Sequence, residues 1–156
     1  MRTCFSLIVL SIFLLSCDPN RVYEENQDIE DAVWQEDFSP KFRFEIIDPQ
    51  NKYNLYLNLR NGIAYPYHNV YIKYNLKDST EAILSSELKE FFLFDPKTGK
   101  PFGDGLGDLF DHQFPLLKAH SFPSGGSYSI DIEQFMRLQQ LPMIVSVGLR
   151  VEKSEE

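Results

Sequence analysis

Three histidines are the first residues of this chain whose type could support catalysis or bind a metal: His68, His112 and His120. No two of them have the i, i+4 spacing with which a helix presents a pair of zinc ligands, and none belongs to an HExxH or catalytic-triad motif. We therefore predict that all three are surface or turn histidines. We expect no catalytic residue, no metal, no cofactor and no enzymatic activity.

Carboxylates in the segment "FGDGLGDLFD" are a second candidate for chemistry, because Asp104, Asp108 and Asp111 alternate there with glycines. Calcium takes about six to eight oxygen ligands, and its best-known loop needs a fixed twelve-residue pattern that ends in glutamate. That pattern is absent. A tight hairpin between two strands explains the glycines without an ion, so a hairpin is the prediction.

Aromatic residues cluster in "NGIAYPYHNVY", where Tyr65, Tyr67 and Tyr71 surround Pro66. Exposed tyrosines at the edge of a sheet can stack on sugars or anchor a protein partner, since aromatic side chains contribute much of the energy of interfaces. The same residues could instead pack at the entry of a strand and cap the core. Both interpretations stay open at this point.

A cysteine closes the hydrophobic run at the start of the chain. Arg2 is followed by an apolar stretch over residues 4–15, which is too short for a membrane-spanning helix of about 20 residues. The boundary "LLSC" resembles the lipobox of bacterial lipoproteins, with an aliphatic residue, a small residue and then the modified cysteine. We predict a signal peptide over residues 1–16 and lipid attachment at Cys17, whose acyl chains hold the protein on a membrane.

Cysteine use and charge exclude several other classes. Cys4 would leave with the signal peptide and Cys17 would carry lipid, so the two cysteines of the chain provide no internal disulfide. The chain has 15 Lys and Arg against 23 Asp and Glu, for a net charge of −8. An acidic protein without a basic patch does not suit nucleic acid as a partner.

Alternation of apolar and polar residues indicates antiparallel strands over most of the chain. The stretches that alternate are "KFRFEII", "KYNLYLNLR", "VYIKYNLK", "YSIDI" and "VSVGLRV". In the last of these, Val147 belongs to the predicted buried face. The run 88–94 is apolar on both faces, which predicts a central strand.

The remaining segments complete the predicted organisation. Residues 17–39 are acidic and poor in apolar residues, which favours a tether that leads into a first edge element. "DIEQFMRLQQL" places Phe135 and Leu138 on one helical face, so we expect one short helix near the C-terminus. Residues 40–156 are predicted to form an all-β antiparallel sandwich, of immunoglobulin-like or jelly-roll type.

Five sequence blocks behind the lipobox resemble the gliding motility lipoprotein GldH family: "YNLYLNLRN", "YPYHNVYI", "FGDGLGD", "FPSGGSYSIDIEQFMR" and "VGLRVEK". The resemblance implies a lipoprotein of the bacterial cell envelope that is needed for gliding, with partners in the gliding and adhesin-secretion machinery. It implies no catalytic residue and carries over only Cys17, as the lipid site. The outer membrane is favoured over the inner one. A module that binds envelope carbohydrate is the alternative function.

Overall fold

The computed structural model describes residues 18–155, which form eleven strands and one turn of 3-10 helix at Glu30–Ala32. The strands are β1 Arg21–Asp28, β2 Val33–Gln35, β3 Lys41–Ile46, β4 Lys52–Gly62, β5 Asn69–Lys77, β6 Ile83–Phe92, β7 Asp104–Leu106, β8 Leu109–Ser121, β9 Gly126–Gln134, β10 Gln140–Pro142 and β11 Ile144–Lys153. Among these residues, no helix is long and apolar enough to cross a membrane.

The strands build two main antiparallel sheets. Sheet I has the order β1-β11-β4-β8-β7, and sheet II has the order β3-β9-β5-β6, while β2 and β10 pair separately. Leaving out the short β2, β7 and β10, the eight main strands follow each other along the chain with the pairing order 1-8-3-6 in one sheet and 2-7-4-5 in the other. This is the jelly-roll arrangement, so the all-β sandwich is confirmed and the jelly roll is the type observed.

Side chains from the inner faces of both sheets fill the core. In sheet I, Leu57 of β4 pairs with Leu149 of β11, and Leu59 pairs with Val147. These residues are fully buried, as are Ile72 and Tyr74 of β5 in the opposite sheet. Burying an aliphatic side chain of this size contributes about 1.5–3 kcal/mol. The alternation in the sequence thus predicted the inner face correctly.

A tyrosine fixes the corner at the start of β9. Gly126 has a φ of +139°, which favours glycine, and the Tyr128 hydroxyl donates a 2.7 Å hydrogen bond to the carbonyl of Ser124. The ring also packs on Phe122, with 4.5 Å between the ring centroids. The corner ties the four-residue β8–β9 connection to the core.

The predicted C-terminal helix is wrong. Strand β9 runs to Gln134, and a turn leads from it to β10. The side chain of Gln134 holds this turn, because its amide donates to the Leu138 carbonyl at 2.7 Å and its oxygen accepts from the Met136 N–H at 2.9 Å. Arg137 has a φ of +58°, which is incompatible with a continuing right-handed helix.

The acidic segment predicted as a tether is structured from Asp18 onward, which corrects that expectation. Strand β1 pairs with β11 from Arg21 to Asp28 and forms one edge of sheet I. Further along, Trp34 is fully buried and its indole N–H donates to the Phe38 carbonyl at 2.8 Å. The segment is therefore part of the sandwich.

The run 88–94, predicted as a central strand, belongs to an edge. Residues 88–92 lie in β6, which pairs with β5 alone at the border of sheet II. Leu93 and Phe94, which follow the strand, are buried in the core. Leu88 and Phe92 point away from the core and remain exposed. Apolar residues on both faces here reflect a core on one side and an apolar surface on the other.

Candidate functional site

The three tyrosines of the predicted binding segment lie in different environments. Tyr65 is only 6% exposed, its hydroxyl donates to the Asn69 carbonyl at 2.9 Å, and its ring stacks on Phe94. Burial raises the pKa of this tyrosine. Tyr65 is thus a core residue at the entry of β5, as the packing alternative proposed.

Tyr67 and Tyr71 remain on the surface. Tyr67 is 39% exposed and meets the ring of Tyr65 edge to face, with 5.7 Å between centroids. Tyr71 is 37% exposed and lies on β5, where it pairs with Glu90 of β6. A hydrogen bond with the Glu90 carboxylate is the largest cause that raises the pKa of Tyr71.

Tyr71 lines a groove on the outer face of sheet II. The groove has a volume of about 490 Å³ and is lined by Tyr71, Leu88, Phe135, Met136 and Arg137. We call it the Tyr71 groove. Leu88 is 48% exposed and Phe135 46% exposed, and the backbone N–H of Tyr71 contacts the Met136 sulfur at 3.2 Å. Three chain segments that are distant in the sequence thus present one apolar surface.

The apolar surface continues along β6 toward the end of the strand. Phe92 is exposed and stacks on His68, with 5.9 Å between the ring centroids. Between Phe92 and Leu88 lies Glu90, whose carboxylate accepts a hydrogen bond from Asn69 at 2.5 Å. The surface therefore combines exposed apolar side chains with an acidic group.

A second depression, which we call the polar cleft, lies on the outer face of sheet I. It has a volume of about 350 Å³, and ten of its eleven lining residues are polar or charged: Glu24, Asn26, Asp28, Asn58, Arg60, Asp104, Asp111, His112, Gln113 and Ser146. Arg60 holds Asp111 through two hydrogen bonds of 2.7 and 3.0 Å. The Gln113 amide donates to Asn58 at 3.2 Å, and the Asn58 amide donates to Glu24 at 3.0 Å.

His112 is buried, which corrects the prediction of a surface or turn residue. It pairs with Leu59 in the ladder between β8 and β4, so its ring points inward, stacks on Phe114 and makes a 2.9 Å hydrogen bond with Asn61. Burial lowers the pKa of His112, although the charges of Asp111 and Asp104 oppose this shift. The sequence did not predict this inward orientation, because polar and apolar residues do not alternate regularly in the stretch "LFDHQF".

The aspartates of the glycine-rich segment, the second candidate for chemistry, do not form a single site in the described part of the chain. Asp104 and Asp111 face each other across the β7–β8 hairpin, whose turn contains Gly107 with a φ of +67°. The predicted hairpin is confirmed. Within residues 18–155, no group of three or more His, Cys, Asp or Glu side chains is placed to hold a metal ion.

The sequence is similar to a known protein family over nearly all of the strands described above. The model of the GldH lipoprotein family matches residues 21–151, from the start of β1 almost to the end of β11. The chain belongs to the GldH lipoprotein family. The resemblance seen in the sequence blocks is thereby confirmed.

Two relatives of this GldH-family chain are similar over nearly their whole length. A gliding motility lipoprotein GldH homolog of Christiangramia forsetii is 31% identical over 165 residues, which cover 99% of both chains. The gliding motility lipoprotein GldH of Flavobacterium johnsoniae is 27% identical over 156 residues, which cover 96% of this chain and 95% of the relative. The similarity therefore extends through the segments on both sides of the matched family region.

Cys17, the predicted lipid site of this GldH-family chain, lies outside the described residues, which begin at its neighbour Asp18. The Asp18 carboxylate forms an ion pair with Arg150 of β11, on the outer face of sheet I. Arg150 also contacts Glu24 of β1 at 3.1 Å and Glu152 at 3.1 Å. The first described residue is thus fixed to the sandwich.

Proposed function

We propose that this protein is a component of the gliding motility machinery, anchored by acyl chains on Cys17, that binds a protein partner without catalysing a reaction. The names of its two relatives support a role in gliding, and the family supports attachment to the cell envelope. We propose the outer membrane as the site of attachment. The observation that carries the binding role is the Tyr71 groove.

Exposed apolar side chains are the first reason to assign the groove to a partner. Leu88, Phe92 and Phe135 are each more than 40% exposed and lie on the outer face of one sheet. Scattered apolar residues are common on protein surfaces, but a contiguous apolar patch with a polar border marks an interaction site. Tyrosine and arginine, both present in this groove, are enriched among the residues that dominate interface energy.

The free edge of sheet II is the second reason. In the described part of the chain, β6 has a strand partner only on the β5 side, so its other edge can accept an extended segment by strand addition. Glu90 lies on the same face of this strand as Leu88 and pairs with Tyr71. The occupant that we propose is therefore an extended protein segment with apolar side chains for the groove and a basic residue for this carboxylate.

A test compares two exposed apolar positions on the same strand. Leu88 lines the groove, whereas Ile83 is 59% exposed at the opposite end of β6. We expect Leu88→Ser to reduce both surface spreading of cells and cross-linking from a photoreactive residue at position 71, and Ile83→Ser to leave both at the level of the unmodified protein. Protein abundance is measured by immunoblot in each strain. Normal spreading and cross-linking with Leu88→Ser would contradict the assignment.

The polar cleft supports a second candidate, a module that binds envelope carbohydrate. Planar amide, carboxylate and guanidinium groups recognise sugar hydroxyls, and Asn58, Arg60 and Gln113 present such groups on an open sheet face. Jelly rolls also occur among lectins, although this is an analogy of fold alone. Calorimetric titration with envelope polysaccharide tests it. Binding that is lost in Asn58→Ala/Gln113→Ala and kept in Leu88→Ser would favour this function.

A further inference from the structure

The first described residues are fastened to the sandwich by side-chain and backbone contacts. Besides its ion pair with Arg150, Asp18 accepts hydrogen bonds from the backbone N–H groups of Asn20 at 3.1 Å and Arg21 at 3.3 Å. The Asn20 side chain donates to Glu155 at 3.0 Å, and the Asn20 carbonyl accepts from the Lys153 N–H at 2.8 Å. Residues 18–20 are therefore part of the folded unit.

The arginine that holds Asp18 has little freedom of its own. The side chain of Arg150 is 16% exposed and is held from three sides by Asp18, Glu24 and Glu152. The hydrogen bond from Arg150 is the largest cause that lowers the pKa of Asp18. We call this contact between Asp18 and Arg150 the joint. It connects residue 18 to β1 and β11, two strands of sheet I.

This joint begins at Asp18, the residue that directly follows Cys17 in the sequence. Consecutive Cα atoms are about 3.8 Å apart, so a lipid on Cys17 lies one residue from the fixed Asp18. An unstructured tether of twenty residues would let the domain adopt any orientation. A fixed Asp18 brings one end of sheet I to the membrane surface.

Basic residues are present at that end of sheet I. The register pairs Arg21 with Glu152, Lys153 with Tyr53, and Lys52 with Ser121, so the beginnings of β1 and β4 meet the ends of β8 and β11 there. Lys52, Lys118 and Lys153 are exposed, and no salt bridge involves them within residues 18–155. Of the carboxylates at this end, Asp18, Glu24 and Glu152 are engaged by Arg150, which leaves Glu45, Asp48 and Glu155 as counter-charges.

We propose that the Asp18–Arg150 pair fixes the sandwich upright on an anionic membrane surface, with Lys52, Lys118 and Lys153 against the lipid headgroups. The proposal rests on lipid attachment at Cys17. An anionic surface attracts each basic residue near it, and this attraction falls off within a Debye length. The three lysines therefore interact with the lipid headgroups when the sandwich is held directly against the membrane.

The same geometry places the Tyr71 groove away from the membrane. Strand β4 begins at the lysine-rich end and runs for 11 residues, and the chain then passes directly through Tyr65 and Tyr67 to the start of β5. At about 3.4 Å per residue, β4 spans about 37 Å. The lipid and the groove therefore lie at opposite ends of the molecule.

The test measures distances to the membrane in the full-length, lipidated protein. Processing would remove Cys4 and consume Cys17, so a cysteine introduced at Gln50 or at Ala64 is the single free thiol for a donor dye. Gln50 is exposed in the β3–β4 turn at the lysine-rich end, and Ala64 is exposed after β4 at the other end. The protein is reconstituted in vesicles of phosphatidylethanolamine and phosphatidylglycerol that carry a headgroup acceptor dye.

We expect strong energy transfer from position 50 and weak transfer from position 64. With Arg150→Gln, whose fold is checked by circular dichroism, the two values should approach each other. Equal energy transfer from positions 50 and 64 in the protein that retains Arg150 would overturn the proposal. So would a difference between the two positions that stays the same with Arg150→Gln. The intact mass of the protein separates this result from a failure of the lipid assignment, because an unlipidated mass contradicts Cys17 as the anchor.

Discussion

Two tyrosines that are six residues apart show how position decides the role of a residue. Tyr65 is buried at the entry of β5, whereas Tyr71 on the same segment faces the groove. We expect Tyr65→Ala to lower the free energy of unfolding by about 3 kcal/mol, because it leaves a cavity beside Phe94. Tyr71→Ala should change it by less than about 1 kcal/mol. Urea denaturation measures both values, and equal losses would show that Tyr71 supports the core.

The histidines predict a dependence of stability on pH. Burial lowers the pKa of His112 and of His120 below the usual value of 6.5, so the unfolded chain binds protons more readily than the folded one. This contribution to stability is fully present above pH 6.5 and is lost as the pH falls toward the folded pKa values. Denaturation curves between pH 8 and 5 measure the loss. It should be smaller in His112→Gln/His120→Gln, and an unchanged slope would assign it to carboxylates.

At the scale of elements, β11 is the strand on which the fold depends most directly. It lies between β1 and β4, and Val147 is fully buried between Gln27 and Leu59. We expect Val147→Asp to lower the free energy of unfolding by about 3 kcal/mol or more, since an unpaired carboxylate would be buried. Ser146→Asp, which faces the polar cleft, should cost clearly less. Comparable losses in thermal unfolding would mean that both faces of β11 tolerate no charge.

Alternating sequences predicted the core strands well because each strand covers the core with one face only. The errors concern elements whose stability comes from distant partners. The acids of β1 appear unsuited to a strand until Arg150 and Asn58 are placed beside Glu24. Likewise, the i, i+3 pair Phe135 and Leu138 suggested a helix, but Gln134 closes a turn there.

The candidate site was predictable only in part for the same reason. Tyr71 could be named from its neighbours in the sequence. Leu88 and Phe135 could not, because they join it only through the pairing of β5 with β6 and the position of the turn after β9. The pairing of strands far apart in the sequence is not encoded in the periodicity of either strand.

At the scale of the whole molecule, the proposed attachment to the membrane depends on the thiol of Cys17. We expect Cys17→Ser to prevent lipidation and processing, which leaves a precursor with its signal peptide or a mislocalised protein. Detergent phase partitioning and intact mass of the recovered protein measure the effect. A variant found in the detergent phase with the mature lipidated mass would exclude Cys17 as the anchor, and Cys4→Ser serves as the control that should be processed normally.

The edge position of β1 has a mechanical consequence under the proposed arrangement. A pulling force between the lipid and a partner in the Tyr71 groove enters the domain at Asp18, where β1 begins, and runs along the strands toward the opposite end. Strand β1 is paired with β11 from Arg21 to Asp28, so this load shears all the hydrogen bonds of the pair together instead of peeling them apart one at a time. The pair of β1 and β11 would thus share the tension over its full length.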